Sequence, residues 1–280
     1  MSERIFAVIG HPIGHTMSPF IHKRLFELAK ESGDYRVIDV APDELLVKIK
    51  MLNELCGYNI TIPNKQAIIP YLDKLDAKAE MYGSVNTVKN GSVREGFTTD
   101  PYGFLKALEH AGIEFGGNVV ILGSGGVART FVYEAALAGC NITLAARNIN
   151  TADKLTEEVQ EKVSGAVIKT CLITELDELD IMPDLLINAT PVGMHPNSDA
   201  APVSDRIISR SRSVFDAVYN PLETVFIKKA AANGSKALGG MSMLVWQAAA
   251  AHEIWDGTVY DAADIDLLIE ESAREQQRIF

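Results

Sequence analysis

The chain has 280 residues, 47% hydrophobic and 22% charged, enough for a sizeable core in one or two α/β domains. Its formal net charge is −11 with no basic run, which argues against nucleic acid or an anionic membrane as the main partner. The 3 cysteines, Cys56, Cys140 and Cys171, lie far apart in or beside apolar runs. They are expected as buried thiols of a reducing compartment, with neither metal-ligand spacing nor a disulfide framework. The N-terminus leads straight into a strand and no segment is apolar for long enough to span a bilayer, so a cytoplasmic protein is expected.

Ile5–Ile9 reads as a buried strand that turns at Gly10–Gly14. Ser18-Pro19 opens a helix to about Lys30, with serine as the expected N-cap and proline at the first helical position. Thr16 and Ser18 also place two hydroxyls beside the free N–H groups of a positive helix end, an arrangement suited to a carboxylate. Tyr35–Val40 is a second strand, Pro42–Leu55 a helix, and Gly57–Ile62 a third strand in which Asn59 and Thr61 stand out as polar. Pro63-Asn64-Lys65 starts another helix. A lysine in a first helical turn opposes the helix dipole at a cost of about 0.3–1 kcal/mol, which points to a use beyond solvation. A weakly periodic stretch over Asp73–Met81 leads to Ser84–Val88, and Asn90-Gly91 then turns a hairpin into a strand ending at Phe97. Asp100-Pro101 opens a helix to Ala111, with aspartate as its expected cap. Strand and helix alternate throughout, so these residues form an α/β layer structure of their own, with Gly112–Gly117 as the domain boundary.

Residues 118–147 read as strand, glycine-rich turn, helix and strand. Val119–Leu122 is a short apolar run, as expected of a central parallel strand, and Gly123-Ser124-Gly125-Gly126-Val127-Ala128 follows at once. An Ala-rich helix then runs to Ala138, closes at Gly139, and gives way to a strand over Asn141–Ala145. In this setting the glycines make a tight turn, let the backbone approach a pyrophosphate, and bind the anion at a helix N-terminus. NAD-type sites usually carry an acid about 20 residues past the glycines. Here that place holds Ala145-Ala146-Arg147-Asn148, and the Arg147 guanidinium suits a ribose 2′-phosphate, so NADP is expected, with NAD as the alternative.

A helix near Thr151–Val163 and strands at Ala166–Thr170, Asp184–Asn188 and Val214–Val218 continue the alternation, followed by a helix over Glu223–Asn233. Gly239-Gly240 reads as a return point into a helix over Met241–Trp255. There Gly240, Met243, Leu244, Gln247, Ala251 and Ile254 share one stripe. Gln247 is its only polar member, and a buried amide needs a partner, in the core or on a ligand. Asp261–Glu271 reads as a solvated amphipathic helix.

The stretches GHPIGHTMSPFIH, GYNITIPNK, SVNTV, GFTTDPYGF, GSGGVAR, NATPVGM, DAVYNP and GGMSMLVWQAA occur in an order and spacing that resemble the shikimate dehydrogenase family over nearly the whole chain. The resemblance implies two α/β domains. One is an N-terminal substrate-binding domain, 1–112 completed by 240–280, and the other a Rossmann-type doubly wound NADP-binding domain over 113–239. It implies reversible reduction of 3-dehydroshikimate to shikimate, a step of the shikimate pathway of aromatic amino acid biosynthesis. Lys65 and Asp100 would be the catalytic pair, with Thr16, Ser18, Thr61, Asn86, Tyr219 and Gln247 on the substrate. The cofactor set would be Gly123, Ser124, Gly125, Gly126, Val127, Ala128, Arg147, Asn148, Asn188, Thr190, Ala217 and Gly240. The partner is then a small-molecule substrate, without nucleic acid or membrane, and the chain a monomer or homodimer; no metal is called for. Five departures stand out: Thr16 in place of a serine, Asn64 in place of an aromatic residue, Thr98 in place of an asparagine, His252 in place of a phenylalanine, and Ala146-Arg147-Asn148 in place of an Asn-Arg-Thr cofactor signature. A paralogue acting on quinate or amino-shikimate is the alternative enzyme. A nucleotide-binding sensor or assembly module is the non-catalytic one, and the joint presence of Lys65, Asp100 and Gln247 speaks against it.

Overall fold

The computed structural model describes residues 4–14 and 16–279. In chain order it begins β1 (Ile5–Gly10), α1 (Ser18–Ala29), β2 (Asp34–Asp39), α2 (Leu45–Leu52), β3 (Gly57–Ile60) and α3 (Asn64–Ala67). Next come β4 (Lys74–Leu75), α4 (Ala77–Tyr82), β5 (Thr87–Lys89), β6 (Glu95–Phe97), α5 (Asp100–His110), β7 (Asn118–Leu122) and α6 (Gly126–Leu137). After them run β8 (Asn141–Ala146), α7 (Ile149–Lys162), β9 (Val167–Leu172), β10 (Leu185–Asn188), α8 (Asp205–Arg210) and β11 (Ser213–Asp216). The chain ends with α9 (Val225–Ala232), β12 (Lys236–Leu238), α10 (Met241–Asp256) and α11 (Ala262–Ile279).

These elements form two compact units, Met1–Gly103 with Leu244–Glu275, and Phe104–Met243 with Gln276–Phe280. The first break falls inside α5, ahead of the Gly112–Gly117 stretch. From Phe104 onward α5 belongs to the second core, where the buried Phe104 ring packs 4.6 Å from Phe131 and 5.2 Å from Phe215.

In the first unit the sheet order is β2-β1-β3-β5-β6-β4. β1 pairs in parallel with β2 and β3, and the β5–β6 hairpin adds to β3 in antiparallel sense. In the second unit the order β12-β11-β10-β7-β8-β9 is parallel throughout, the order of a doubly wound nucleotide-binding sheet. The central strands VVIL of β7 and LLIN of β10 are buried along their length, as a sheet covered on both faces requires.

Several expectations shift. The helix over Pro42–Leu55 splits into a 3-10 turn, Pro42–Glu44, and the shorter α2. The third strand stops at Ile60, and the stretch over Asp73–Met81 divides into β4 and α4. The α10 stripe widens to nearly the whole circumference, because the alanines at 248–251 let neighbours close in on every side. α11 runs on to Ile279 and is not merely solvated: Ile265, Leu268, Ser272 and Gln276 are buried. Cys56 is exposed; of the three thiols only Cys140 is fully buried. No helix among the described residues is long and apolar enough to cross a membrane.

α10 and α1 meet through a buried aromatic and imidazole cluster around Phe6, Phe26 and Trp255. Tyr260 donates its phenol proton to the Leu25 carbonyl at 3.1 Å, so its oxygen accepts from His252 Nδ1 at 2.9 Å. That leaves the neutral His252 with a bare Nε2, which accepts from His22 Nδ1 at 3.1 Å. His22 Nε2 ends the chain as a buried acceptor without a partner. Burial pushes the His22 imidazole well below its usual range, helped by His252. Burial also takes His252 down to about 4, with Asp256 opposing and Arg4 adding to the drop.

Both rings are therefore neutral in the folded protein. The stability they contribute is present above about 6.5, where the unfolded histidines are neutral too. It is lost as pH falls toward about 4, because only the unfolded chain takes up the protons readily. His252→Phe is expected to reduce the drop in urea midpoint between pH 7 and pH 5. Equal drops in both proteins would show that the acid sensitivity lies elsewhere.

Candidate active site

β1 and β3 lie side by side in the first sheet, with β2 on the far side of β1, so the chain direction of the crossovers switches between them. Ligands of open α/β sheets bind beyond the strand C-termini at such a point. The loops there are tied together: Thr61 N–H donates to the Ile9 carbonyl at 2.8 Å, and His11 N–H to the Ile62 carbonyl at 3.0 Å.

After β1, Ser18 is the first residue of α1, not its N-cap, and its side chain makes no capping bond. The cap work falls to Thr16, whose Oγ1 accepts from Ser18 N–H at 3.2 Å and donates to Ser18 Oγ at 3.1 Å. After β3, Thr61 is half-buried, and α3 is a single turn of 4 residues. So short a helix has little dipole, and the cost argued for a lysine at its start falls away. Lys65 is placed by its neighbour: the buried Asn64 amide donates to the Val40 carbonyl at 2.6 Å and pins the turn to the end of β2.

Lys65 Nζ donates to Asp100 Oδ2 at 2.5 Å, with side-chain exposures of 17% and 9%. Asp100, expected as a helix cap, is the first residue of α5, and its carboxylate is turned to partners across the fold. Its Oδ1 accepts from Asn86 Nδ2 at 2.9 Å. The Asn86 carboxamide also bonds Thr99 Oγ1 at 2.9 Å and Gln247 Oε1 at 3.3 Å, while Thr99 N–H donates to Asn86 Oδ1 at 2.7 Å. The Gln247 amide donates to the Leu244 carbonyl at 2.9 Å. Lys65, Asp100, Asn86 and Gln247, far apart in sequence, form one connected group. Thr87, Thr99 and Tyr35 belong to the same network and were missed. The available signal was polar residues facing each other across apolar strands, since Asn59 and Thr87 are register partners in β3 and β5. Thr98 Oγ1 is buried and has no hydrogen-bond partner.

In the second unit the switch point lies between β7 and β10. Gly123 follows β7 with φ +103°, and a Cβ there would press on Thr190 and the Ala189 carbonyl, so glycine is required. Gly125 is the N-cap of α6 and Gly126 its first residue, both open to approach. The free N–H groups of α6 thus face outward, as a pyrophosphate needs. Val127 is half-buried, and Ala128 is buried under α6, leaving only its main chain for a ligand. Ser124 Oγ meets Thr151 Oγ1 at 2.6 Å, and Thr151 Oγ1 donates to the Asn148 carbonyl at 2.8 Å, joining the loop to the start of α7. Asn148 caps α7 by accepting from Asn150 N–H at 3.1 Å. Arg147 is exposed and has no ion pair among the described residues, while Ala145 and Ala146 are buried and bring no acid. These residues fit a dinucleotide with a 2′-phosphate.

Asn188 departs from its expected cofactor contact. It is 0% exposed, donates to Asp216 Oδ1 at 2.9 Å and accepts from Thr190 Oγ1 at 2.7 Å, so its amide is spent inside the protein. Its work is to hold the half-buried Thr190 and the end of β11. Burial pushes the Asp216 carboxyl up to about 6 against hydrogen bonds from Thr224, Val218 N–H and Asn188. Tyr219 is half-buried, and burial raises its phenol. Gly240 backs onto Ala217: a Cβ would lie 2.4 Å from the Ala217 carbonyl oxygen.

A parallel Rossmann sheet with its glycine loop, joined in one chain to a unit carrying a part-buried lysine–aspartate pair, defines a two-unit dinucleotide-dependent oxidoreductase. Residues 8–88 match the family described as shikimate dehydrogenase substrate binding domain. The chain is 38% identical over 265 residues to a shikimate dehydrogenase (NADP(+)) of Caldanaerobacter subterraneus subsp. tengcongensis, covering 93% of this chain and 94% of the relative. Among solved structures, a chorismate mutase/shikimate 5-dehydrogenase fusion protein from Clostridium acetobutylicum aligns with TM-score 0.89 at 32% identity, over 99% of this chain and 100% of that one. The Thermus thermophilus shikimate 5-dehydrogenase in complex with NADP(H) and shikimate aligns with TM-score 0.86 at 31% identity, over 96% and 99%. The chain belongs to the shikimate dehydrogenase family.

Gly240→Ala is expected to destabilise the second unit by roughly 1–3 kcal/mol, because the obstacle is backbone and not a mobile side chain. Calorimetry should show an earlier transition. An unchanged one would mean that the loop after β11 yields to a methyl group.

Proposed function

We propose that the protein catalyses the reversible, NADP-dependent reduction of 3-dehydroshikimate to shikimate, on the strength of its family and of one observation above all. That observation is the part-buried Lys65–Asp100 pair, held by Asn86 and Gln247 beside the strand ends that carry Thr16, Ser18 and Thr61. NADPH, when bound, supplies the hydride that adds to the ketone carbon. As the carbon is reduced, negative charge gathers on the ketone oxygen and must be neutralised as it develops. The Lys65 ammonium keeps one N–H on Asp100 and has others to donate to that oxygen. Asp100 is aimed in turn by Asn86, so the ammonium is oriented before the substrate arrives. Lys65 acts as an electrostatic clamp and water supplies the proton.

Thr16 and Ser18 suit the substrate carboxylate, because Ser18 has no capping duty and both hydroxyls sit at the α1 N-terminus. Thr61, Asn86 and Gln247 suit the ring hydroxyls, and Tyr219 is the substrate contact proposed from the second unit. On the cofactor side, the glycine loop takes the pyrophosphate and Arg147 the 2′-phosphate. Ala217 and Gly240 line the nicotinamide.

Lys65→Ala should cut turnover roughly 10²-fold or more, as for loss of one donor to a developing oxyanion, with little change in the KM for shikimate. Steady-state assays by nicotinamide absorbance decide this, and a variant with normal turnover would end the assignment. In the same assay, Arg147→Ala should raise the KM for NADP far more than that for NAD. Equal effects on both cofactors would remove Arg147 from the 2′-phosphate.

A further inference from the structure

We propose that Tyr35 and Thr87 are positioning residues of this site, carrying one hydrogen-bond chain from the Tyr35 phenol through Asn59 and Asn86 to the Asp100–Lys65 pair. The direction of each amide in the chain is forced, and the Thr87 hydroxyl lies nearer to Asn86 Oδ1, at 3.1 Å, than to Thr99 Oγ1, at 3.4 Å. The Asn86 main-chain carbonyl can only accept, so the Asn59 amide nitrogen faces it at 3.3 Å and donates to Thr87 Oγ1 at 3.0 Å. Asn59 Oδ1 is thereby turned to Tyr35, whose phenol donates to it at 2.7 Å. With one oxygen lone pair occupied by Asn59, Thr87 gives its own proton to Asn86 Oδ1 at 3.1 Å. Thr99 N–H fixes that same oxygen as an acceptor, so Asn86 Nδ2 must face Asp100.

Hydrogen bonds aligned head to tail polarise one another, and a break in the middle is felt at both ends. Tyr35 is also held in place: its ring lies 4.0 Å from that of His22 at an interplanar angle of 8°. His22 is locked in one tautomer by His252 and Tyr260. Burial keeps the Tyr35 phenol protonated and therefore a donor. The Tyr35 and Thr87 hydroxyls are committed to protein partners, so their action on substrate runs through Asn59 and Asn86.

The kinetic consequence rests on the dehydrogenase reading; the spectroscopic one does not. Tyr35→Phe keeps the stack on His22 and removes only the donor. It should lower kcat about threefold to tenfold, leaving the KM for NADP unchanged. Thr87→Val should lower kcat about tenfold with the KM for shikimate within about twofold, and Thr87→Ser should restore kcat. The double variant Tyr35→Phe/Thr87→Val should be no slower than Thr87→Val by more than about twofold, because one chain is broken in either case. Effects that multiply, or a Thr87→Ser variant as slow as Thr87→Val, would overturn the proposal. The Asn86 side-chain amide resonances give the second readout. They should move in Tyr35→Phe although the two side chains share no hydrogen bond, and that movement should vanish when Thr87 is already valine. An Asn86 signal indifferent to Tyr35→Phe would overturn the proposal as well. A wild-type protein that does not oxidise shikimate with NADP would instead sink the dehydrogenase reading, and the resonances would still decide the chain.

Discussion

The carboxamide of Asn86, 2% exposed, is the constraint on which the first unit depends. A buried amide left unpaired costs about 1–3 kcal/mol, so the elements around it must converge with correct geometry or not at all. Thr99 N–H holds its oxygen and Asp100 its nitrogen, which together determine how α5 starts. Gln247 brings in α10, and Thr87 with Asn59 brings in β5 and β3. Once these are satisfied, the Asp100 carboxylate has one oxygen left, and it points at Lys65. The Lys65–Asp100 pair is therefore a by-product of satisfying a core amide. That makes it rigid without asking stability of the ion pair itself, which in a partly buried setting contributes little net.

The second unit uses the same device at its own switch point. Asn188 ends β10 with a side chain that reaches the Thr190 turn on one side and Asp216 on the other. Asp216 accepts from Thr224, whose Oγ1 also caps α9. The two loops flanking the nucleotide strand are thus tied to the sheet by buried polar groups. The turn after β7 is governed instead by the left-handed φ of Gly123. Polar groups do the positioning and glycine does the clearing, so the loop is shaped before any phosphate arrives.

Much of this was legible in the residues. The long helices, the central strands and the nucleotide loop announce themselves by hydrophobic period and glycine spacing, and Arg147 stands where the nucleotide's identity is decided. The short elements were not legible. β4, α4, α8 and β12 have at most 6 residues each, too few for a period to build up. Capping, the bland alternative for Ser18, rests on serine before proline being the usual capping pair. Here the chain comes in one residue earlier, and Thr16 accepts the N–H instead. Asn188 entered the cofactor set through the resemblance, and only the fold shows its amide bonded to Asp216 and Thr190.

By itself the sequence determined the class of each long element and the presence of a Rossmann unit, because period, caps and motifs are local properties of the chain, while Lys65, Asp100, Asn86 and Gln247 were singled out by the family resemblance. Only the tertiary structure decided that Lys65, Asp100, Asn86 and Gln247 meet and which way each amide faces. Asn86 and Gln247 are 161 positions apart, and no local rule relates them. The direction of a carboxamide depends on which neighbours can only accept and which can only donate, and those neighbours exist only once β3, β5, α5 and α10 have packed.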